Sequence, residues 1–91
     1  MTQQIILAEK LDHAGLDGLH GQLHQALGQP VELDGRMVRI VGGLSAQLLL
    51  AAVRRWRRDG LDFDIQPSEP MRDDLRRLGL EDEIFMQDQQ Q

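Results

Sequence analysis

Short apolar runs alternate with longer segments of helical periodicity along the chain. The apolar runs predict strands at residues 5–8, 31–34, 37–41 and 61–65. Apolar residues at helical spacing predict helices at residues 14–27 and 44–59. A third helix is predicted to begin after Ser68, with Met71, Leu75 and Leu78 on its inner face. Strands joined by helices form parallel sheets with right-handed crossovers. We therefore predict a single α/β domain with a small, mixed, mostly parallel sheet of about four strands and helices packed against it.

Glycines and a polar segment mark the predicted boundaries. Gly28, Gly60 and Gly79 each follow a helical pattern directly, which is the usual place for a helix-ending glycine. The last residues are polar and have no apolar partner for a core. The domain is therefore predicted to occupy residues 1–86, and residues 87–91 are predicted to be a disordered polar tail.

The composition excludes several functional classes. The chain has 91 residues, no cysteine and a formal net charge of −5. Without cysteine it can form no disulfide, thiolate nucleophile or cysteine-based zinc site. An acidic chain is a poor ligand for nucleic acid, and no apolar stretch approaches the roughly 18 residues that a membrane span needs. We expect a soluble, cytoplasmic protein that binds no nucleic acid, spans no membrane and uses no cofactor.

The predicted helix at residues 44–59 is apolar around most of its circumference. Its clearly polar wedge is narrow and holds only Gln47, Arg54 and Arg58. Such a helix is normally buried, but a domain of this size can bury few helices completely. Two interpretations stay open: part of the helix faces a protein partner, or small and apolar side chains lie at the rim of the core.

The arginines at residues 54–58, RRWRR, form the densest charge cluster of the chain. Cations in the last turn of a helix complement its dipole. The net charge of −5 favours this structural role over binding of an acidic or phosphate-rich partner. Trp56 occupies an apolar helical position and is predicted to lie in the core.

Candidate catalytic and metal-binding residues are few. His20 and His24 have the i, i+4 spacing of a helical metal pair, but no acidic residue completes that motif. Carboxylates such as Asp62 and Asp64 alternate along a strand and form no convergent acid–base pair. We therefore predict a protein that is not an enzyme and whose histidines lie on the surface. A small metal or phosphoryl-transfer protein that uses the histidine pair is the less favoured alternative.

The order and spacing of the motifs resemble a known family. The run at residues 30–52, PVELDGRMVRIVGGLSAQLLLAA, resembles the STAS domain, the sulfate-transporter and anti-sigma-factor-antagonist family. The resemblance extends to the Leu-Asp pair before the first helix, the strand at residues 61–65 and the Leu-Gly-Leu that ends the third helix. It implies a STAS-like fold. The turn also looks like that of the short STAS proteins associated with bacterial chemotaxis gene clusters.

The chain departs from the family pattern at the turn before the Leu-rich helix. The family has Asp-Ser-x-Gly-Leu there, and its serine is phosphorylated. Aligned on Gln47, the aspartate of that turn falls on Gly42, the serine on Gly43 and the glycine on Ser45. The serine switch is therefore absent from its usual place. Ser45 is expected to cap the helix, and a role as an alternative phosphoacceptor is the less favoured reading.

The resemblance implies a non-catalytic bacterial signalling adaptor that binds a regulatory protein. The partner would be an ATP-binding protein, either an anti-sigma factor or a histidine-kinase-like chemotaxis protein. An accessory STAS subunit of an ABC-type lipid-transport complex is the alternative. The resemblance and the helix pattern together predict these partner-binding residues: Asp34, Gly42, Gly43, Leu44, Ser45, Gln47 and Arg54.

Overall fold

Strands and helices alternate in the computed structural model, which describes residues 2–85 of the chain. The strands are β1 (Gln3–Ile6), β2 (Lys10–Leu11), β3 (Val31–Gly35), β4 (Ile40–Val41) and β5 (Phe63–Pro67). The helices are α1 (Leu16–Gln25), α2 (Gly43–Arg58), α3 (Glu69–Arg77) and α4 (Glu81–Phe85). The α/β class and the mostly parallel strands are confirmed, but the described strands form a three-stranded and a two-stranded sheet instead of the predicted single sheet of about four strands. The predicted tail at residues 87–91 lies outside the described residues.

The main sheet has three parallel strands in the order β1-β3-β5. Its register aligns Gln3 with Val31 and Val31 with Phe63. Consequently β1 begins two residues before its predicted position and β5 begins two residues after it. A strand extends as far as its neighbour offers backbone hydrogen-bond partners. The bounds of β1 and β5 therefore depend on their pairing with β3 more than on the apolar residues within each strand. Alternating acidic residues such as those at 61–65 are typical of a strand with one solvent-exposed face or of an edge strand, and β5 lies at an edge of the sheet.

One face of the sheet is polar. Val31 and Leu33 of the central strand are buried beneath the helices. On the opposite face Gln4, Glu32 and Asp64 lie side by side across the three strands and are exposed. The described domain therefore has two layers, a sheet and the helices that cover one of its faces.

A second, smaller sheet continues the chain direction of the first. β2 follows β1 after three residues, β4 follows β3, and the two short strands pair in parallel with Leu11 opposite Val41. The strand predicted at residues 37–41 is therefore only Ile40–Val41. Its first part is a turn, because the N–H of Val38 donates to the carbonyl of Gly35 at 3.1 Å.

The start of α1 lies inside its predicted bounds of 14–27. The carboxylate of Asp12 accepts a hydrogen bond from the N–H of Ala14 at 3.1 Å. Its carbonyl accepts one from the N–H of Gly15, also at 3.1 Å. These bonds form a turn, so the regular helix occupies only Leu16–Gln25.

Both predicted ends of α3 are confirmed. The hydroxyl of Ser68 accepts a hydrogen bond from the N–H of Met71 at 3.1 Å, which caps the helix start. At the other end Gly79 has a φ of +77°, and the N–H of Leu80 donates to the carbonyl of Leu75 at 2.9 Å. This six-to-one bond is the signature of a Schellman end, which needs a left-handed residue such as glycine.

The core lies around α2. Ala46, Leu49 and Val53 are fully buried, and so is most of the apolar circumference that the sequence shows. The indole of Trp56 is 2% exposed, and its Nε1–H donates to the carbonyl of Gln29 at 2.6 Å. Burial is this extensive because α1 packs on one side of α2 and α4 on another. This burial favours the second interpretation of the helix pattern, in which its apolar side chains belong to the core and its rim.

Candidate functional site

The turn between β4 and α2 leaves the start of the long helix open. Gly42 precedes the helix in an extended conformation, and within the described part of the chain no side chain caps the helix. Gly43 is the first helical residue and is exposed, and a Cβ placed there would meet nothing within 4 Å. The turn therefore supplies no side chain that could accept hydrogen bonds from the first N–H groups of α2.

Two other elements hold this turn in place. From β2, the carbonyl of Leu11 accepts a hydrogen bond from the N–H of Gly42 at 2.8 Å. From α3, the carboxylate of Asp74 accepts one from the N–H of Val41, also at 2.8 Å. Val41 is 5% exposed, so its N–H would otherwise be buried without a partner. Asp74 is also paired with Arg77, one turn further along α3.

A groove of about 450 Å³ separates the turn from α3. Ile40 and Leu78 line it from opposite sides, and each keeps 46% of its surface exposed. Leu44, which follows the turn, is 62% exposed. Gly43 also lines the groove. Three exposed apolar side chains, those of Ile40, Leu44 and Leu78, thus lie near the uncapped start of α2.

The exposure of Leu78 contradicts its predicted place on the inner face of α3. Met71 and Leu75 are fully buried on that face, as predicted. The helix ends at Arg77, however, and the chain then reverses through Gly79. The core contact expected of Leu78 is made by Leu80, which is half-buried and packs against the core.

The predicted cap at Ser45 is wrong. Gly42 occupies the cap position, and Ser45 lies three residues later with 1% of its surface exposed. Its hydroxyl has no hydrogen-bond partner among residues 2–85. Ser45 shares a helical stripe with Leu49 and Trp56, so it turns toward the core and away from the helix end. A kinase could not reach this hydroxyl without opening the start of α2.

The remaining predicted site residues are dispersed. Leu44 and Gln47 are exposed on α2 near the turn. Arg54 lies eleven residues beyond Gly43, or about 16 Å along the helix axis. Its guanidinium binds the carboxylate of Glu83 at 2.5 and 3.1 Å and so ties α2 to α4. This ion pair lowers the pKa of Glu83.

Asp34 lies at a different groove, on the polar face of the sheet. Its carboxylate accepts hydrogen bonds from Nε and Nη2 of Arg36 at 3.0 and 2.9 Å, and from the N–H of Arg36 at 3.1 Å. These bonds, mainly those from the guanidinium, lower the pKa of Asp34 to about 2. The structure therefore does not bring Asp34 or Arg54 together with the turn.

Asp74 was missed as a candidate because Asp73 and Asp74 look like ordinary charges near a helix start. The signal was its position at the border of the apolar stripe of Met71 and Leu75. A carboxylate in such a place is partly buried, and Asp74 is 15% exposed. A partly buried carboxylate needs hydrogen-bond donors.

The histidine pair lies on α1, away from the turn. The rings of His20 and His24 stack with centroids 6.3 Å apart and planes inclined by 15°. Both residues are exposed. Across residues 2–85, no three side chains of the metal-ligating types converge on one point.

Comparisons with known proteins do not extend this picture. No family model, curated protein or solved structure matches the chain. The resemblance to STAS domains therefore rests on the motifs of the chain itself and stays a prediction. Within residues 2–85, no helix has both the length and the hydropathy to cross a membrane.

Proposed function

We propose that the protein is a non-catalytic bacterial signalling adaptor of STAS type that binds a regulatory protein. The partner is an ATP-binding protein, either an anti-sigma factor or a histidine-kinase-like protein. The binding site is the turn surface, formed by Ile40, Gly42, Gly43, Leu44 and Leu78. The observation that carries the proposal is the gathering of exposed apolar side chains around an open helix start.

The chemistry of the turn surface suits a protein partner. Exposed apolar side chains that cluster beside polar groups are typical of protein interfaces. Burying the exposed part of each such side chain stabilises a complex by about 1–2 kcal/mol. The first N–H groups of α2 can donate hydrogen bonds to a carbonyl or carboxylate of the partner, and the helix dipole favours the carboxylate. The class of partner comes from the resemblance to STAS domains.

Phosphorylation would not control this adaptor at the turn. Gly43 has no hydroxyl where the family has its serine, and the hydroxyl of Ser45 is buried. The adaptor is therefore either constitutively competent for binding or regulated elsewhere than at this turn.

Gly43→Asp tests the proposal. The new side chain has open space and lies in the first turn of a helix, where a carboxylate is stabilising by about 0.3–1 kcal/mol. We therefore expect unchanged or slightly raised thermal stability. Binding should weaken at least about tenfold, because the carboxylate covers the helix start and adds charge to an apolar contact.

Gly18→Asp is the matched control. Gly18 is also an exposed glycine in the first turn of a helix, and its Cβ would likewise meet nothing within 4 Å. Wild type and both variants would be used for affinity capture from the native host with quantitative mass spectrometry. The captured ATP-binding protein would then be purified and titrated by calorimetry. Equal affinity for wild type and Gly43→Asp would refute this binding site, and an ABC-type ATPase as the captured protein would favour the transport alternative.

A further inference from the structure

The two edges of the three-stranded sheet differ in their chemistry. The β5 edge carries Asp64 and Pro67 and follows Asp62. Charges and proline are the usual means by which a sheet edge resists pairing with another chain. β1, with the sequence QQII, has neither. Only the β1 edge is chemically open to pairing.

The outward backbone groups of β1 belong to alternate residues. The N–H of Gln3 donates to the carbonyl of Pro30 at 2.8 Å, and the N–H of Leu7 donates to that of Asp34 at 2.9 Å. Odd-numbered residues thus face β3, so the N–H and C=O groups of Gln4 and Ile6 point away from the sheet. The side chain of Ile6 is 68% exposed.

We propose that β1 pairs antiparallel with β1 of a second copy of this chain, giving a two-fold symmetric dimer. With Ile5 of each copy at the two-fold axis, Gln4 of one copy lies opposite Ile6 of the other. Both pairs exchange two backbone hydrogen bonds, and all outward groups of the two strands at these positions are then satisfied. The two Ile6 side chains become diagonal neighbours and cover each other.

Charge favours this pairing over the alternatives. Both copies are acidic, but β1 itself is uncharged, and the nearest carboxylates on the sheet, those of Glu32 and Asp34, lie one strand inward. In the dimer, Glu32 of one copy and Asp34 of the other are three strand spacings apart, about 14 Å. That exceeds the screening length of about 8 Å at physiological ionic strength. Pairing through β5 would instead bring Asp64 of both copies to adjacent strands.

Sedimentation equilibrium of the full chain tests the proposal, from micromolar to millimolar concentration. We expect a mass approaching twice 10.3 kDa for the wild type. Ile6→Lys places like charges near the axis, and Gln4→Pro removes an outward N–H that β3 does not use. Each should raise the dissociation constant of the dimer at least about tenfold. Met37→Lys changes a residue of similar exposure, 60%, and should leave the dimer intact.

Amide hydrogen exchange gives a second readout that depends on the backbone. In the wild-type dimer the N–H groups of Gln4 and Ile6 should exchange more slowly than after dilution, and Ile6→Lys should abolish the difference. The fluorescence of Trp56 verifies that each variant is folded. A wild type that stays monomeric at millimolar concentration, or a dimer that both edge variants leave unchanged, would overturn the proposal.

Discussion

The hydrogen bond between Asp74 and the N–H of Val41 has a predictable effect on stability. Asp74→Ala removes the acceptor and leaves a buried donor unpaired, which costs about 1–3 kcal/mol. The accompanying ion pair adds less than about 1 kcal/mol, because the side chain of Arg77 is 74% exposed. Asp74→Asn keeps an oxygen acceptor for Val41 and loses the charge and the oxygen that pairs with Arg77. We therefore expect the alanine variant to lose about 1–3 kcal/mol and the asparagine variant less than about 1 kcal/mol.

Urea unfolding followed by the fluorescence of Trp56, the single tryptophan, measures the difference. For a domain of this size, each kcal/mol lowers the melting temperature by roughly 4–8 °C. Arg77→Ala is the control, since it breaks the ion pair and keeps the bond to Val41. Hydrogen exchange at the amide of Val41 should accelerate only in Asp74→Ala. Equal losses in the alanine and asparagine variants, with unchanged exchange at Val41, would refute the assigned role.

Two further predictions concern single polar side chains. Ser45→Ala removes a buried hydroxyl that has no partner among residues 2–85. The free energy of unfolding should therefore stay the same or rise by up to about 1 kcal/mol. A decrease of more than about 1 kcal/mol would mean that the hydroxyl is hydrogen-bonded. The pKa of Asp34, about 2, is below its ordinary value of 3.8, so its contribution to stability is present above about pH 4 and is lost as the pH falls toward 2. Arg36→Ala should return this pKa toward its ordinary value in a carboxyl-carbon NMR titration, and an unchanged pKa would contradict the assigned cause.

Local signals predicted the helices well because each has a physical cause within a few residues. Ser68 caps α3 through its own hydroxyl, and Gly79 ends it with a backbone conformation that favours glycine. The positions of β1 and β5 could not be predicted in this way. Their bounds follow from the register against β3, which is a contact between residues far apart in sequence. The two-residue strand β2 is likewise too short to leave a periodic pattern, and β4 is only the last part of the strand predicted at residues 37–41.

In the candidate site, too, features with a local cause could be predicted from the sequence and features that depend on distant contacts could not. That Ser45 is buried could be found from its stripe, since Leu49, Ala52 and Trp56 follow it at intervals of four, seven and eleven residues. The resemblance instead predicted a helix cap at Ser45, because Ser45 lies close to the helix start. The role of Asp74 could not be found from sequence alone, because its partner Val41 lies thirty-three residues away.

Because the turn contains Gly42 and Gly43, the rigidity of its backbone depends on the elements that are hydrogen-bonded to it. Gly42 and Gly43 have no side chains with which to restrict the backbone, so the turn by itself would lose much conformational entropy on folding. A docking surface gains affinity when it is rigid before the partner arrives. Here the rigidity comes from Leu11 on one side and Asp74 on the other. On the proposed function, we therefore expect Asp74→Ala to weaken binding at the turn surface, because it removes one of the two hydrogen bonds that hold the turn in place.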